Sequence, residues 1–205
     1  MAELALALYG VYVLLAFGLR TWVQWRRTGS TGFHGLGGRP GSAEWLAGAG
    51  FVVALGMGAA APVLALADVL EPIAALDGPA AQVAGAILSV AGIGLTLAAQ
   101  LAMGDSWRIG VDPGERTALV TDGPFAHVRN PIFSAMIPTA LGLTLLVPSV
   151  LAIAGLVALV LALELQVRVV VVVAHASPGS LPSPGTKRPV LAAQRAYSSP
   201  CTLRR

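Results

Sequence analysis

Five long apolar runs separated by short polar interruptions dominate the chain: about Ala2–Leu19, Trp45–Ala67, Ala80–Met103, Pro131–Val147 and Val150–Ala174. A helix needs about 20 apolar residues to cross the hydrocarbon core of a bilayer, so each run predicts a span. Inside lipid every backbone N–H and C=O must be satisfied within the segment or its partners, which selects helices for runs of this length. Pro148-Ser149 leaves room only for a tight turn, so the last two spans are predicted to form a hairpin. The expected fold class is an all-α integral membrane protein of about five transmembrane helices. A polar loop between the third and fourth spans and an irregular C-terminal tail complete it.

Composition strengthens this picture. The chain of 205 residues is 56% hydrophobic and 11% charged, against about 25% charged in a soluble domain; its mean hydropathy is +0.76. The first run lacks a basic segment before it and carries its charges after it, so it is expected to be a span, not a cleaved signal. One cysteine, Cys201, excludes an internal disulfide framework. Gly48, Gly50, Gly56 and Gly58 in the second run, with Gly85, Gly92 and Gly94 in the third, suit close helix packing in lipid. Pro62 is expected to kink the second span near its outer end.

Charge supplies the orientation. All 13 Lys and Arg fall after the first span, after the third, or in the C-terminal part that starts at Arg168 near the inner end of the fifth. Arg20, Arg26, Arg27 and Arg39 are assigned to the first link, and Arg108, Arg116 and Arg129 to the third. The link Asp68–Pro79 has three acids and no base. The positive-inside rule then predicts a cell-membrane protein with its N-terminus outside, and with its C-terminus and the Gly104–Asn130 loop in the cytoplasm. The pI near 9.6 reflects that asymmetry; no basic-aromatic cluster points to nucleic acid.

Gly104–Asn130 concentrates the chemistry, with Asp105, Arg108, Asp112, Glu115, Arg116, Asp122, His127 and Arg129. Trp107 suits the membrane interface. Asp112-Pro113-Gly114-Glu115 is a turn signal, Thr117–Thr121 a short extended segment, and Gly123-Pro124 a second turn. Asn130 and Pro131 have the types of a helix cap and first turn, and a helix start beside Arg129 is a candidate anion site. The link from Thr28 to Ser42 reads chiefly as a flexible Gly/Ser loop with a solvated His34. Glu164 and Arg168 stand one helical turn apart; an interfacial ion pair and a pair facing an interior cavity both remain open. Three scattered histidines and one cysteine give no metal cluster. After Ala174 the Pro/Ser/Arg-rich tail predicts disorder, so the division expected is 1–174 for the membrane domain and 175–205 for the tail.

The segments MGDSWRIGVD (Met103–Asp112), LVTDGPFAHVRNPIF (Leu119–Phe133) and LELQVRVV (Leu163–Val170) resemble the isoprenylcysteine carboxyl methyltransferase family, with phospholipid methyltransferases as relatives. The resemblance covers about residues 80–170. It implies an enzyme that uses S-adenosylmethionine (SAM) to methylate a membrane lipid or a lipidated small molecule or peptide, at carboxyl oxygen or at nitrogen. A sulfonium is a good leaving group, so such a protein mainly aligns the reactants and excludes water. The resemblance implies cofactor contacts from Leu119, Val120, Gly123, Pro124, Phe125, Arg129, Asn130 and Pro131. Gly92 and Gly94 resemble the family's G-x-G, although helix packing explains the pair equally well. Arg168 matches the arginine that meets the substrate's anionic end.

One departure weakens the match. The family's R-x-x-E-E pattern uses paired acids for the SAM amino group, whereas Val171 and Val172 stand at those places. The expected tyrosine-bearing segment does not follow, and His175 and Tyr197 do not restore it. A pattern that ends in a valine run and an unrelated tail suggests a shifted reading frame, with weak SAM binding as its consequence. The competing expectation is a non-catalytic helical membrane scaffold.

Overall fold

In a computed structural model of the chain, the described residues are 1–32, 35–104, 123–128 and 130–176, with the backbone alone described for 170–176. Among them the secondary structure is entirely helical. The first apolar run forms α1 (Ala2–Val13), a π-helical segment (Leu14–Leu19) and α2 (Arg20–Thr28) in one uninterrupted rod. Then follow α3 (Ala43–Leu66), α4 (Pro79–Met103), a 3₁₀ turn (Gly123–Ala126), α5 (Pro131–Leu146) and α6 (Val150–Ala176). Among the described residues, four helical stretches are long and apolar enough to cross a membrane, and α5 is a shorter apolar helix. The chain divides into one compact unit at Met1–Val169 and another at Val170–Arg205; of the second, only the helical backbone to Ala176 is described.

The first helix runs further than its hydrophobicity suggests. Arg20, Arg26 and Arg27 lie on helix α2, not in a link. The Arg26 guanidinium lies 5.2 Å from the Trp22 ring centroid, a cation–π contact that lets a polar turn continue an apolar helix. The helix stops at Gly29, whose left-handed φ of 75° allows its N–H to bond back to the Trp25 carbonyl. The Ser42 side chain then caps α3 by accepting from the Trp45 N–H at 3.3 Å. Helix α3 continues through Pro62 to Leu66.

Helices α4 and α5 approach each other closely. A Cβ placed on Gly92 would stand 2.2 Å from Thr139 Oγ1 and 2.7 Å from Thr139 N. One placed on Gly85 would meet the Gly142 carbonyl at 2.7 Å, and one on Gly142 would meet Ser89 N at 2.5 Å. Small residues at helical spacing on both partners allow this backbone approach, which maximises dispersion contact where lipid offers no hydrophobic drive. Ser89 and Thr139 bury their hydroxyls in the seam by donating to Gly85 and Ala135 of their own helices, at 2.8 and 2.9 Å. Gly56 and Gly94, by contrast, would place a Cβ in open space; packing does not require glycine there.

Tyr12, Ala16, Ala54, Ile93, Met136, Leu159 and Leu163 form the main buried cluster. Phe17 bridges Tyr12 and Phe51 through ring contacts at 6.1 and 6.3 Å. A cavity of about 60 Å³ lies among α1, α3, α5 and α6, lined by residues such as Tyr9, Ala54, Met136 and Leu159. Large apolar side chains such as Val83, Ile87 and Val90 of α4, and Val157 and Leu161 of α6, remain exposed, as lipid-facing surfaces require. In the α5–α6 hairpin, Ser149 Oγ accepts from the Ala152 N–H at 3.2 Å. The Pro148 carbonyl receives the Ile73 N–H at 2.7 Å, which ties the α3–α4 link to this turn.

Candidate functional site

The polar stretch starts where α4 ends. Gly104 closes that helix with φ 54° and ψ −133°, a conformation that disfavours a side chain. Its carbonyl accepts a hydrogen bond from Arg20 Nη2, at the start of α2. One helical turn earlier on each partner, Gln100 Nε2 donates to the Ala16 carbonyl at 2.9 Å. Arg20 and Gln100 are both only 4% exposed, so these bonds join the two helices away from water. Gln24, also buried, lies one turn beyond Arg20.

The π-helical segment helps explain the Gln100 bond. A π turn bonds five residues back instead of four, and the Arg20 N–H accordingly reaches Leu15. Arg20 therefore does not close the ordinary helical bond to Ala16, whose carbonyl accepts from Gln100 instead. The other polar side-chain atom of this amide, Gln100 Oε1, is buried without a hydrogen-bond partner among the described residues. Such an acceptor costs free energy until a donor reaches it.

The returning end of the stretch is built locally. Gly123–Ala126 is a 3₁₀ turn packed beside α4. Gly123 takes φ 60°, and Pro124 and Phe125 are half-buried. His127 Nδ1 lies 3.3 Å from the Gly123 carbonyl and tightens the turn. Asn130 Oδ1 accepts from the Phe133 N–H at 3.1 Å, while Pro131 begins α5 where a missing N–H costs nothing. The expected Asn-Pro helix start is observed.

The candidate residues do not all gather at this end. Gly123, Pro124, Phe125, Asn130 and Pro131 bracket the return into α5. Gly92 is buried in the α4–α5 seam, and Gly94 is exposed on α4. Arg168 lies on α6 with Nε 2.9 Å from Glu164 Oε1, their side chains 73% and 57% exposed. That geometry realises the i,i+4 ion pair. Leu119, Val120 and Arg129 lie outside the described residues, as do Trp107, the Asp112 turn, Thr117–Thr121, His34 and the tail beyond Ala176.

Sequence reasoning missed Arg20 and Gln100. In sequence Arg20 looks like a loop cation because it follows the last residue of an apolar run. Gln100 offered a clearer signal: an amide inside a predicted span has to find a partner.

No curated protein and no solved structure matches the chain. Residues 80–172, from the start of α4 to the valine run of α6, match the phospholipid methyltransferase family. The matched segment contains the α4–α5 seam, the Gly104 exit, the 3₁₀ turn and the Asn130 cap. In this helical membrane chain, residues 80–172 are a phospholipid methyltransferase family domain.

Proposed function

We propose that this protein is a SAM-dependent methyltransferase for a membrane-embedded acceptor. The observation that carries the reading is the family domain at residues 80–172, whose polar return is set between α4 and α5. The acceptor class is a lipid or lipidated molecule that presents an amine, as a phospholipid does, or a carboxylate, as prenylcysteine does. Exposed apolar helix faces surround the domain, which suits lateral approach from the bilayer.

Part of the SAM requirement fits the residues present. The half-buried Pro124 and Phe125 offer an apolar surface for adenine, with Leu119, Val120 and Gly123 as neighbours in sequence. Arg129 and the first turn of α5 suit the SAM carboxylate, through a fixed charge and the positive end of a helix dipole. Gly92, Gly94, Asn130 and Pro131 complete the proposed cofactor set, and Arg168 is assigned to an anionic group of the acceptor. When bound, SAM supplies a methyl group on a positively charged sulfur; the protein aligns the acceptor and excludes water.

The amino group of SAM does not fit equally well. Val171 and Val172 provide no carboxylate at the family's acidic positions. Losing a charged hydrogen bond costs about 1.5–3 kcal/mol, so weak binding is expected from this chain. The same observation supports the second reading, a non-catalytic membrane scaffold.

Calorimetry with SAM on the detergent-solubilised protein, beside a Val171→Glu/Val172→Glu version, separates the readings. Tight binding in the restored protein and weak binding in the parent is the expected result. No binding by either would be explained by the altered tail or by the scaffold reading, and would withdraw SAM binding from this chain. We also propose the positive-inside orientation, with the Gly104–Asn130 stretch and the C-terminus in the cytoplasm.

A further inference from the structure

We infer that the first helix is a working part of the cofactor site, because Arg20 and Gln100 together set the position at which the polar stretch leaves α4. The inference rests on the methyltransferase reading, but it gives Arg20 and Gln100 a positioning role outside the cofactor contacts named there. Arg20 lies outside the matched residues 80–172.

Two crossed bonds carry the argument. Arg20 donates to the Gly104 carbonyl, and Gln100 donates to the Ala16 carbonyl at 2.9 Å. Residues 16 and 20 are one turn apart on the first helix, and residues 100 and 104 are one turn apart along α4. The bonds therefore act as a two-point clasp that restrains both sliding and rotation of one helix against the other. Both donors are buried, and hydrogen bonds shielded from water are stronger and costly to leave half-made.

Arg20 also differs from the neighbouring cations. Arg26 is exposed and stacks on exposed Trp22, a role that membrane orientation alone explains. Orientation gives no reason to bury Arg20 against the carbonyl that ends α4. The glycine at that exit adopts positive φ, so the direction of the chain there depends on what holds its carbonyl. A shift of about 1 Å in a positioning group can change a rate by about 10²-fold. Arg20 and Gln100 are accordingly positioning residues for SAM, acting through Gly104.

The test uses the full chain and its Val171→Glu/Val172→Glu version as parents. Into each are placed Arg20→Met, Arg20→Lys and Gln100→Leu. SAM dissociation constants are read by calorimetry, and amide exchange is followed in the peptide that begins at Gly104. Far-UV circular dichroism and monodisperse elution identify the folded variants; Arg20→Lys and Gln100→Leu carry the comparison if Arg20→Met does not fold. The inference requires Arg20→Met and Gln100→Leu to weaken SAM binding by about tenfold or more, with faster exchange after Gly104. Arg20→Lys should recover part of both effects. A lower melting temperature with unchanged SAM affinity in the folded protein would overturn it. If neither parent binds SAM, the inference fails, because it assigns the clasp to a cofactor site that the chain then lacks. If a parent binds and the variants bind equally well, only the inference fails.

Discussion

Gln100, near the end of α4, donates its side-chain amide to the Ala16 carbonyl inside the π-helical segment of the first helix, at 2.9 Å. An irregularity in one helix is thereby matched to a polar side chain on another. Each feature alone would be costly in an apolar bundle: the wide turn disturbs the backbone ladder, and the amide needs partners. The Arg20 bond to Gly104 lies one turn away on both helices. Together the two contacts join the first helix to the end of α4.

The α4–α5 seam should reject even a methyl group. Gly92→Ala brings a Cβ within 2.2 Å of Thr139 Oγ1 and is expected to destabilise the protein by about 1–3 kcal/mol. Gly56→Ala, with nothing within 4 Å, is the control and should leave the melting temperature unchanged or slightly raised. Thermal unfolding in detergent decides; equal melting temperatures for the two variants would contradict the close approach.

Removing the Asn130 cap should loosen the start of α5. Asn130→Ala loses the bond to the Phe133 N–H at a cost of about 1 kcal/mol, and Asn130→Asp should retain it. Amide exchange in the first turn of α5 reads this directly. Unchanged protection in the alanine variant would mean that the cap contributes nothing.

The Glu164–Arg168 pair separates stability from function. Both side chains are largely exposed, so Glu164→Gln should alter stability by no more than about 0.5 kcal/mol. In the Val171→Glu/Val172→Glu protein, Arg168→Ala should leave the melting temperature near its parent's and lower methyl transfer by about tenfold or more. Undiminished transfer would remove Arg168 from the proposed acceptor site.

Orientation can be read from Cys201, the single cysteine of the chain. A membrane-impermeant maleimide should label it only after cells are permeabilised. Labelling in intact cells would invert the proposed topology.

The reading-frame expectation needs only nucleotide sequence. Translation of the region after Val170 in the other two frames should reveal Glu-Glu followed by a tyrosine-bearing segment. Absence of that segment from both frames would make the valine run and tail the intended ending.

Much of the helical plan was legible because a span must meet a length and a hydrophobicity together. The runs at Trp45–Ala67 and Ala80–Met103 became α3 and α4 within a few residues at each end. The Asn130-Pro131 helix start was equally legible, since a cap and its first turn are local chemistry. Continuation of the first helix to Thr28 was not: an apolar window ends at its first cation, whereas the helix proceeds through Arg20 to the cation–π contact of Arg26. The two glycines of the G-x-G also looked alike in sequence. Tertiary contact distinguishes them, packing Gly92 onto Thr139 and leaving Gly94 open.

The sequence by itself determined a helical membrane protein, its approximate spans and a methyltransferase-like signature. Those features depend on hydrophobic run length, on local capping and turn chemistry, and on residue types at fixed spacing. The tertiary structure decided which small residues permit close helix approach and which polar groups share an interior. Arg20 and Gln100 are 80 positions apart in sequence, so no local pattern could pair them. Packing of the first helix against α4 brings the Arg20 donor to the Gly104 carbonyl and the Gln100 donor to the Ala16 carbonyl, because buried polar groups must find partners where water cannot serve.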